Sequence, residues 1–269
     1  MIEMVCPGRW AARIGGLALA LAGAGAFAAE APRYSLTTGL DFSSGSYGSS
    51  ADTEMWYLPI TLKYERGPAT VKLTVPYLRI TAPSSGGTFI GYDEEGRPIY
   101  SGGTGRTTQE GLGDVVLTYS HSLFDQPVNH FLLDLGAKVK LPTADQDKGL
   151  GSGKADYGVF ADAYYLAGAA TPFLTVGYRV LGDPAGVDLR NVWQGTLGLA
   201  YKLGERDSAG FMWDVRQAST AGGDGMNELT AYWAHKLGDG YKLQAYGVAG
   251  FSDASPDYGL GLMVSYASR

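Results

Sequence analysis

Cysteine, histidine and long apolar runs are all scarce in this chain of 269 residues. The single cysteine, Cys6, stands ahead of the first apolar stretch, so the rest of the chain has neither a disulfide framework nor a thiolate metal site. His121, His130 and His235 share no common spacing, which leaves zinc without a ligand set and gives no reason to expect a metal or a cofactor. After Phe27 no run approaches the roughly 18 apolar residues of a membrane helix, so any crossing of a bilayer must use strands. Basic side chains are also in deficit, 21 against 27 acidic ones, for a net charge of −6. A nucleic-acid partner is therefore not expected.

The first 28 residues have the order of an export signal. Arg9 and Arg13 give a positive flank, Ile14 to Phe27 form an apolar stretch of 14 residues, and Ala26-Phe27-Ala28 is a small-x-small cleavage site. An apolar stretch that short, followed at once by polar sequence, favours secretion over anchoring. Removing 28 of 269 residues leaves 241, enough for one domain or one barrel. Without Glu3, Arg9 and Arg13 the 21 basic and 27 acidic residues become 19 and 26, a net charge of −7.

Glycine and tyrosine are abundant instead. The 40 glycines are about twice the usual share, without a collagen-like period, and there are 18 tyrosines. Such a chain favours tight bends, close backbone approach and amphipathic rings over long helices. Twelve segments alternate with a period of two, one phase apolar or aromatic: 34–42, 54–64, 69–80, 113–123, 131–141, 156–166, 171–181, 190–203, 209–218, 228–237, 241–251 and 258–267. The fifth is the clearest, with Phe131, Leu133, Leu135, Ala137, Val139 and Leu141 against Asp134, Lys138 and Lys140. In 156–166, Phe160 and Tyr164 compete with Val159 and Ala161 for the apolar face.

Connection lengths add a second, independent pattern. The alternate connections 43–53, 81–112, 142–155, 182–189, 219–227 and 252–257 are long, and those between them are short. An even strand number with short periplasmic turns and longer outer loops is the asymmetry of outer-membrane barrels. The expected fold is thus all-β, a transmembrane antiparallel β-barrel of 12 strands over 29–269, located in the cell outer membrane with lipid as its first partner. The segment 81–112, rich in glycine and carrying Asp93, Glu94 and Glu95, reads as a long extracellular loop, mobile or folded into the lumen. Trp56, Tyr57, Tyr64, Tyr77, Tyr119, Trp213 and Trp233 read as anchors at the headgroup level.

Three segments resemble the outer-membrane transporter-like family labelled for the meta-pathway of phenol degradation: Val75-Pro76-Tyr77-Leu78, Gly111-Leu112-Gly113-Asp114, and Lys138-Val139-Lys140-Leu141-Pro142-Thr143-Ala144-Asp145. The resemblance implies a barrel that conducts small aromatic or hydrophobic compounds, and it brings no catalytic residues with it. Barrels of this kind commonly look as if they end on an aromatic, whereas here Tyr266 stands three residues inside the last residue.

The chemistry available to the chain lies on the phase opposite the apolar one. Lys72, Asp114, Asp134, Lys138, Lys140, Asp162, Arg179, Asp214 and Arg216 are the candidates for the lumen wall and for ion selectivity. They either pair across neighbouring strands in a narrow, plugged lumen or line a water-filled route for a small-molecule solute. Lys138 and Lys140, on the outer half of their strand, are expected to form a positive step below an acidic mouth. His121 and Ser122 are adjacent in a strand, so they point to opposite faces and do not make a nucleophile and base. An enzyme is not expected. Gly149 to Ala155 has the texture of a phosphate loop but lacks the hydroxyl residue after Lys154, and flexible loop is the expectation there. Asp145, Asp147 and Asp156 lack the spacing of a Ca²⁺ loop.

Overall fold

The computed structural model describes residues 32–48, 51–83, 88–92, 98–101, 106–124, 127–184 and 187–268; the expected export signal, 1–28, and the acidic triplet Asp93 to Glu95 lie outside them. The described elements are strands: β1 (Arg33–Gly45), β2 (Thr53–Arg66), β3 (Ala69–Pro83), β4 (Thr88–Tyr92), β5 (Pro98–Ser101), β6 (Arg106–Leu112), β7 (Val115–Ser122), β8 (Phe131–Leu141), β9 (Asp156–Tyr165), β10 (Ala170–Val180), β11 (Val192–Lys202), β12 (Asp207–Arg216), β13 (Met226–Gly238), β14 (Tyr241–Gly250) and β15 (Tyr258–Ala267). β3 pairs with β2 and with both β6 and β7, β7 to β15 pair antiparallel in chain order, and β1 pairs with both β2 and β15, so the sheet closes. Closure joins the barrel strands into a ring, which is the condition for placing strands in hydrocarbon.

Twelve positions surround the axis because β6 and β7 share one. Tyr77 pairs with Leu112 but Thr74 pairs with Val116, so β6 and β7 carry one more residue than β3 across this stretch, at Gly113 and Asp114. This β-bulge resets the phase: Leu112 faces outward at 58% exposure, while Asp114, two residues on, is buried inside. The described parts of 81–112 are strands rather than a bare connection. Its ends continue the β3 and β6 ladder, and β4 and β5 form a separate hairpin between them.

The outer face follows the alternation. Leu40, Leu58, Ile60, Leu135, Leu174, Val176, Leu197 and Leu262 are exposed around the waist of the barrel. Aromatic cross-strand neighbours ring the two ends: Tyr34 with Tyr64, Phe131 with Tyr165 and Tyr241 with Tyr266 where the turns are short, and Phe42 with Trp56 and Tyr178 with Trp193 where the connections are long. Trp213 and Trp233 donate their indole N–H to Asn227 and Asp207 at 2.7 and 3.1 Å. An aliphatic band between two aromatic girdles with polar handles matches the depth profile of a bilayer. Tyr57 departs from the expected anchor role. It occupies the inner phase of β2 and is 7% exposed, because the outer phase there belongs to Trp56 and Leu58.

Candidate functional site

Inside the barrel, strand parity gathers the polar chemistry. All nine candidates, Lys72, Asp114, Asp134, Lys138, Lys140, Asp162, Arg179, Asp214 and Arg216, face inward, and all but Lys72 and Asp134 are buried. Facing hydroxyls hold several of the carboxylates: Ser122 donates to Asp134 at 2.6 Å, Thr175 to Asp162 at 2.6 Å and Thr196 to Asp214 at 2.5 Å. These are charge-assisted bonds between directly paired strand positions.

Toward the long-connection end the charges neutralise one another. Lys140, 1% exposed, places Nζ 3.1 Å from Asp114 Oδ2 and 3.2 Å from Asp156 Oδ2, and donates to Ser152 Oγ at 3.0 Å. Arg179 Nη2 lies 3.4 Å from Asp156 Oδ2. Backbone N–H groups of Ala144 and Gly182 donate to the remaining oxygens of Asp114 and Asp156, each at 3.0 Å. Two cations and two carboxylates balance, so Lys140 does not form the positive step expected of it together with Lys138. Asp156 faces the lumen here and shares no cation site with Asp145, whose Oδ1 accepts the N–H groups of Asp147 and Lys148. Among the described residues no cluster of metal-ligating side chains occurs.

The same network draws in the connection 142–155. Instead of the flexible loop expected at Gly149 to Ala155, this segment turns into the mouth. Ser152 is bonded to Lys140, and Leu150, 1% exposed, packs with Met55, Tyr57, Leu78 and Ile80 from β2 and β3. A Cβ at Gly151 would press on Ala144 and on the Asp114 carboxylate, so the absent side chain is what permits the approach. An apolar plug therefore closes the β2 and β3 side of the lumen.

Below the plug lies a cavity of about 550 Å³ that runs from mid-barrel to the short-turn rim. Tyr57, Pro59, Val116, Lys138 and Tyr246 border its inner end, and Gly238, Gly240, Tyr241 and Ala267 its outer end. Its wall carries five lysines, Lys63, Lys72, Lys138, Lys236 and Lys242, and one acid, Glu65. Only Lys72 and Lys138 stand among the nine sequence candidates. Lys63, Lys236 and Lys242 were readable by the same test, since each occupies the inner phase of its strand, but nothing local says that they share a cavity.

Rings take up part of the lumen on the side of β9 to β13, and the competition in β9 is settled: Phe160 and Tyr164 point inward, Val159 and Ala161 outward. Phe160 lies across Gly136 of β8, Phe173 across Gly198 of β11 and Tyr232 across Gly210 of β12, each at a directly paired position. Tyr246 likewise crosses Gly261 of β15 and donates its hydroxyl to Asp41 of β1 at 2.5 Å. Glycine on one strand thus makes room for an aromatic ring from the next, which accounts for four of the glycines.

His121 and Ser122 point to opposite faces. Ser122 bonds Asp134 inside, while His121 Nδ1 and the Tyr119 hydroxyl are 3.1 Å apart outside.

No protein-family model matches the chain, and no curated protein is significantly similar to it. Among solved structures, an outer-membrane channel from Pseudomonas putida F1 has a TM-score of 0.63 at 15% identity, over 98% of this chain and 100% of the other. The monoaromatic hydrocarbon channel CymD gives 0.45 at 8% identity, over 89% and 88%, and the Pseudomonas putida toluene transporter TodX gives 0.45 at 10%, over 88% and 89%. The chain shares with the first of these the fold of an outer-membrane β-barrel.

Proposed function

We propose that this protein is an outer-membrane channel for small compounds, exported by the signal in 1–28, with its short turns in the periplasm and its long connections outside. The observation that carries the reading is the cavity, about 550 Å³ in volume and continuous from mid-barrel to the short-turn rim. A barrel kept only for its outer loops has no need of it. The channel character of the Pseudomonas putida F1 structure supports the same reading, and the resemblance of 75–78, 111–114 and 138–145 to the phenol-degradation family favours aromatic or hydrophobic solutes. In this arrangement Lys72 and Lys138 bear on the solute, while Asp114, Lys140, Asp156 and Arg179 hold the outer plug.

A second reading rests on that plug: with Leu150 seated among Met55, Tyr57, Leu78 and Ile80, the barrel is a closed support for its surface loops. Single-channel recording in planar bilayers separates the two. The channel reading expects measurable conductance in the parent, increased when Leu150→Ala thins the plug. Silence in both proteins would favour the structural barrel. Orientation is checked independently on intact cells. A tag at the exposed Gly222 should be labelled directly, and one at Asp239 only after the outer membrane is permeabilised.

A further inference from the structure

The lysines of the cavity follow the hydrogen-bonding rows of the sheet. In one row Ser35, Lys63, Lys72, Thr118 and Lys138 pair in succession across β1, β2, β3, β7 and β8. In the adjacent row Lys236 pairs with Lys242, followed by Ser265, Thr37, Thr61 and Thr74. Two like-charged pairs, Lys63 with Lys72 and Lys236 with Lys242, therefore stand directly opposite each other and open onto one cavity. Directly opposed like charges repel across a sheet, and an anion placed between them relieves that repulsion. Glu65 offsets Lys63 at 2.8 Å and is the single acid on the wall. The opposed acids Asp134 and Asp162 each accept a hydroxyl bond and do not line the cavity, although Asp162 attracts Lys72 electrostatically.

Between the lysines runs a floor of hydroxyls, with Thr37 and Ser265 Oγ atoms 2.8 Å apart and those of Thr61 and Thr74 2.9 Å apart. Pro59, Val116 and Met263 add apolar surface. The volume falls within the range of small-molecule sites. Ammonium groups and hydroxyls toward the short-turn rim, with Pro59, Val116 and Met263 one inward-facing position further in than Thr61, Thr118 and Ser265, suit a molecule with an anionic head and a compact apolar body.

We propose that this cavity is a binding site for small organic carboxylates, with Lys72, Lys138 and Lys242 holding the carboxylate. The proposal names a solute class for the channel described above and rests on that reading, but binding itself does not need an open route. The test is calorimetric titration of the refolded barrel in detergent with benzoate, with benzamide as the uncharged analogue of similar shape, and with inorganic phosphate as a competitor. Benzoate should bind and benzamide should not, and phosphate at equal concentration should displace little benzoate. Lys72→Gln and Lys242→Gln should each weaken benzoate binding tenfold or more, and Lys148→Gln, on an outer connection, should leave it unchanged. Equal binding of benzamide, full displacement by phosphate, or variants that bind as the parent does would each overturn the proposal. Heat-modifiable migration on gels reports folding, and if a variant does not fold, the benzoate and benzamide titrations of the parent decide. Benzoate binding without conductance would sink the channel reading alone, and conductance without benzoate binding would sink the carboxylate site alone.

Discussion

On the side of the lumen formed by β9 to β13 rings take up space between the charged and hydroxyl side chains: Phe160, Phe173 and Tyr232 lie over glycines of the neighbouring strand, and Tyr164 and Phe173 pack with Leu132 and Met212. The other side, β14, β15, β1 to β3 and β7, joined by Lys138 of β8 and Lys236 of β13, faces the same axis with lysines and hydroxyls, and there a cavity remains. Both walls show the same apolar alternation to the outside. The width of a closed barrel follows from strand number and stagger, but whether that width is filled depends on the inward residues alone. A ring placed on a glycine fills the lumen, whereas a threonine facing a threonine leaves it open.

The comparison can be broken most strongly where the packed mouth depends on charge. Lys140→Ala leaves Asp114 and Asp156 buried without their shared cation, and should cost about 3–5 kcal/mol of folding free energy. Urea unfolding from lipid vesicles, followed by tryptophan fluorescence, measures the loss. A cost near zero would mean that water already solvates the network. The same assay sharpens the contrast between the outer and inner faces of β8. Leu135→Arg, at the waist, should cost about 2–4 kcal/mol, and Lys138→Gln, on the cavity side of the same strand, much less. Equal costs would show that the two faces of β8 meet similar surroundings.

Within the packed wall, Gly198→Ala puts a Cβ into the Phe173 ring and should cost about 1–3 kcal/mol as the ring is displaced. Gly204→Ala, in a short turn where a Cβ meets nothing within 4 Å, is the matched control and should change stability by no more than about 0.5 kcal/mol. The smallest expected effect is on conduction. Lys138→Gln should move the reversal potential across a salt gradient toward cation selectivity, and the shift should shrink as salt screens the charge. Lys140→Gln should shift it less, because Asp114 and Asp156 already balance that charge. Equal shifts for the two variants would put Lys140 on the route after all.

Period-two alternation alone was enough to place β8 at 131–141 and β15 at 258–267, with the bounds the structure gives them. It also marked the inward phase on which Lys72, Asp134, Lys138 and Asp214 stand, because a side chain's face depends only on its parity within a strand. The bulge at Gly113 and Asp114 is the limit of that rule: one extra residue inverts the phase of everything before it, and parity cannot be carried across. Tyr57 was legible by the same parity, since Trp56 and Leu58 hold the outer phase, but the Phe160 and Tyr164 pair was not, for another reason. An aromatic ring is at home both at a lipid headgroup and over a glycine, and the choice depends on which residue the neighbouring strand presents.

Sequence by itself thus determined a closed antiparallel barrel, its twelve positions and the polarity of its two faces, since each follows from local alternation and from the need to leave no backbone group unpaired in lipid. Tertiary structure alone decided which interior charges cancel and which share a cavity. Lys140 and Lys138 are two residues apart on one strand, yet the first lies between two carboxylates brought in by β9 and the bulge before β7, while the second faces Lys72 and Lys63 along a row that passes through Thr118. That difference arises from the register between strands distant in sequence, and register is fixed only when the sheet closes on itself.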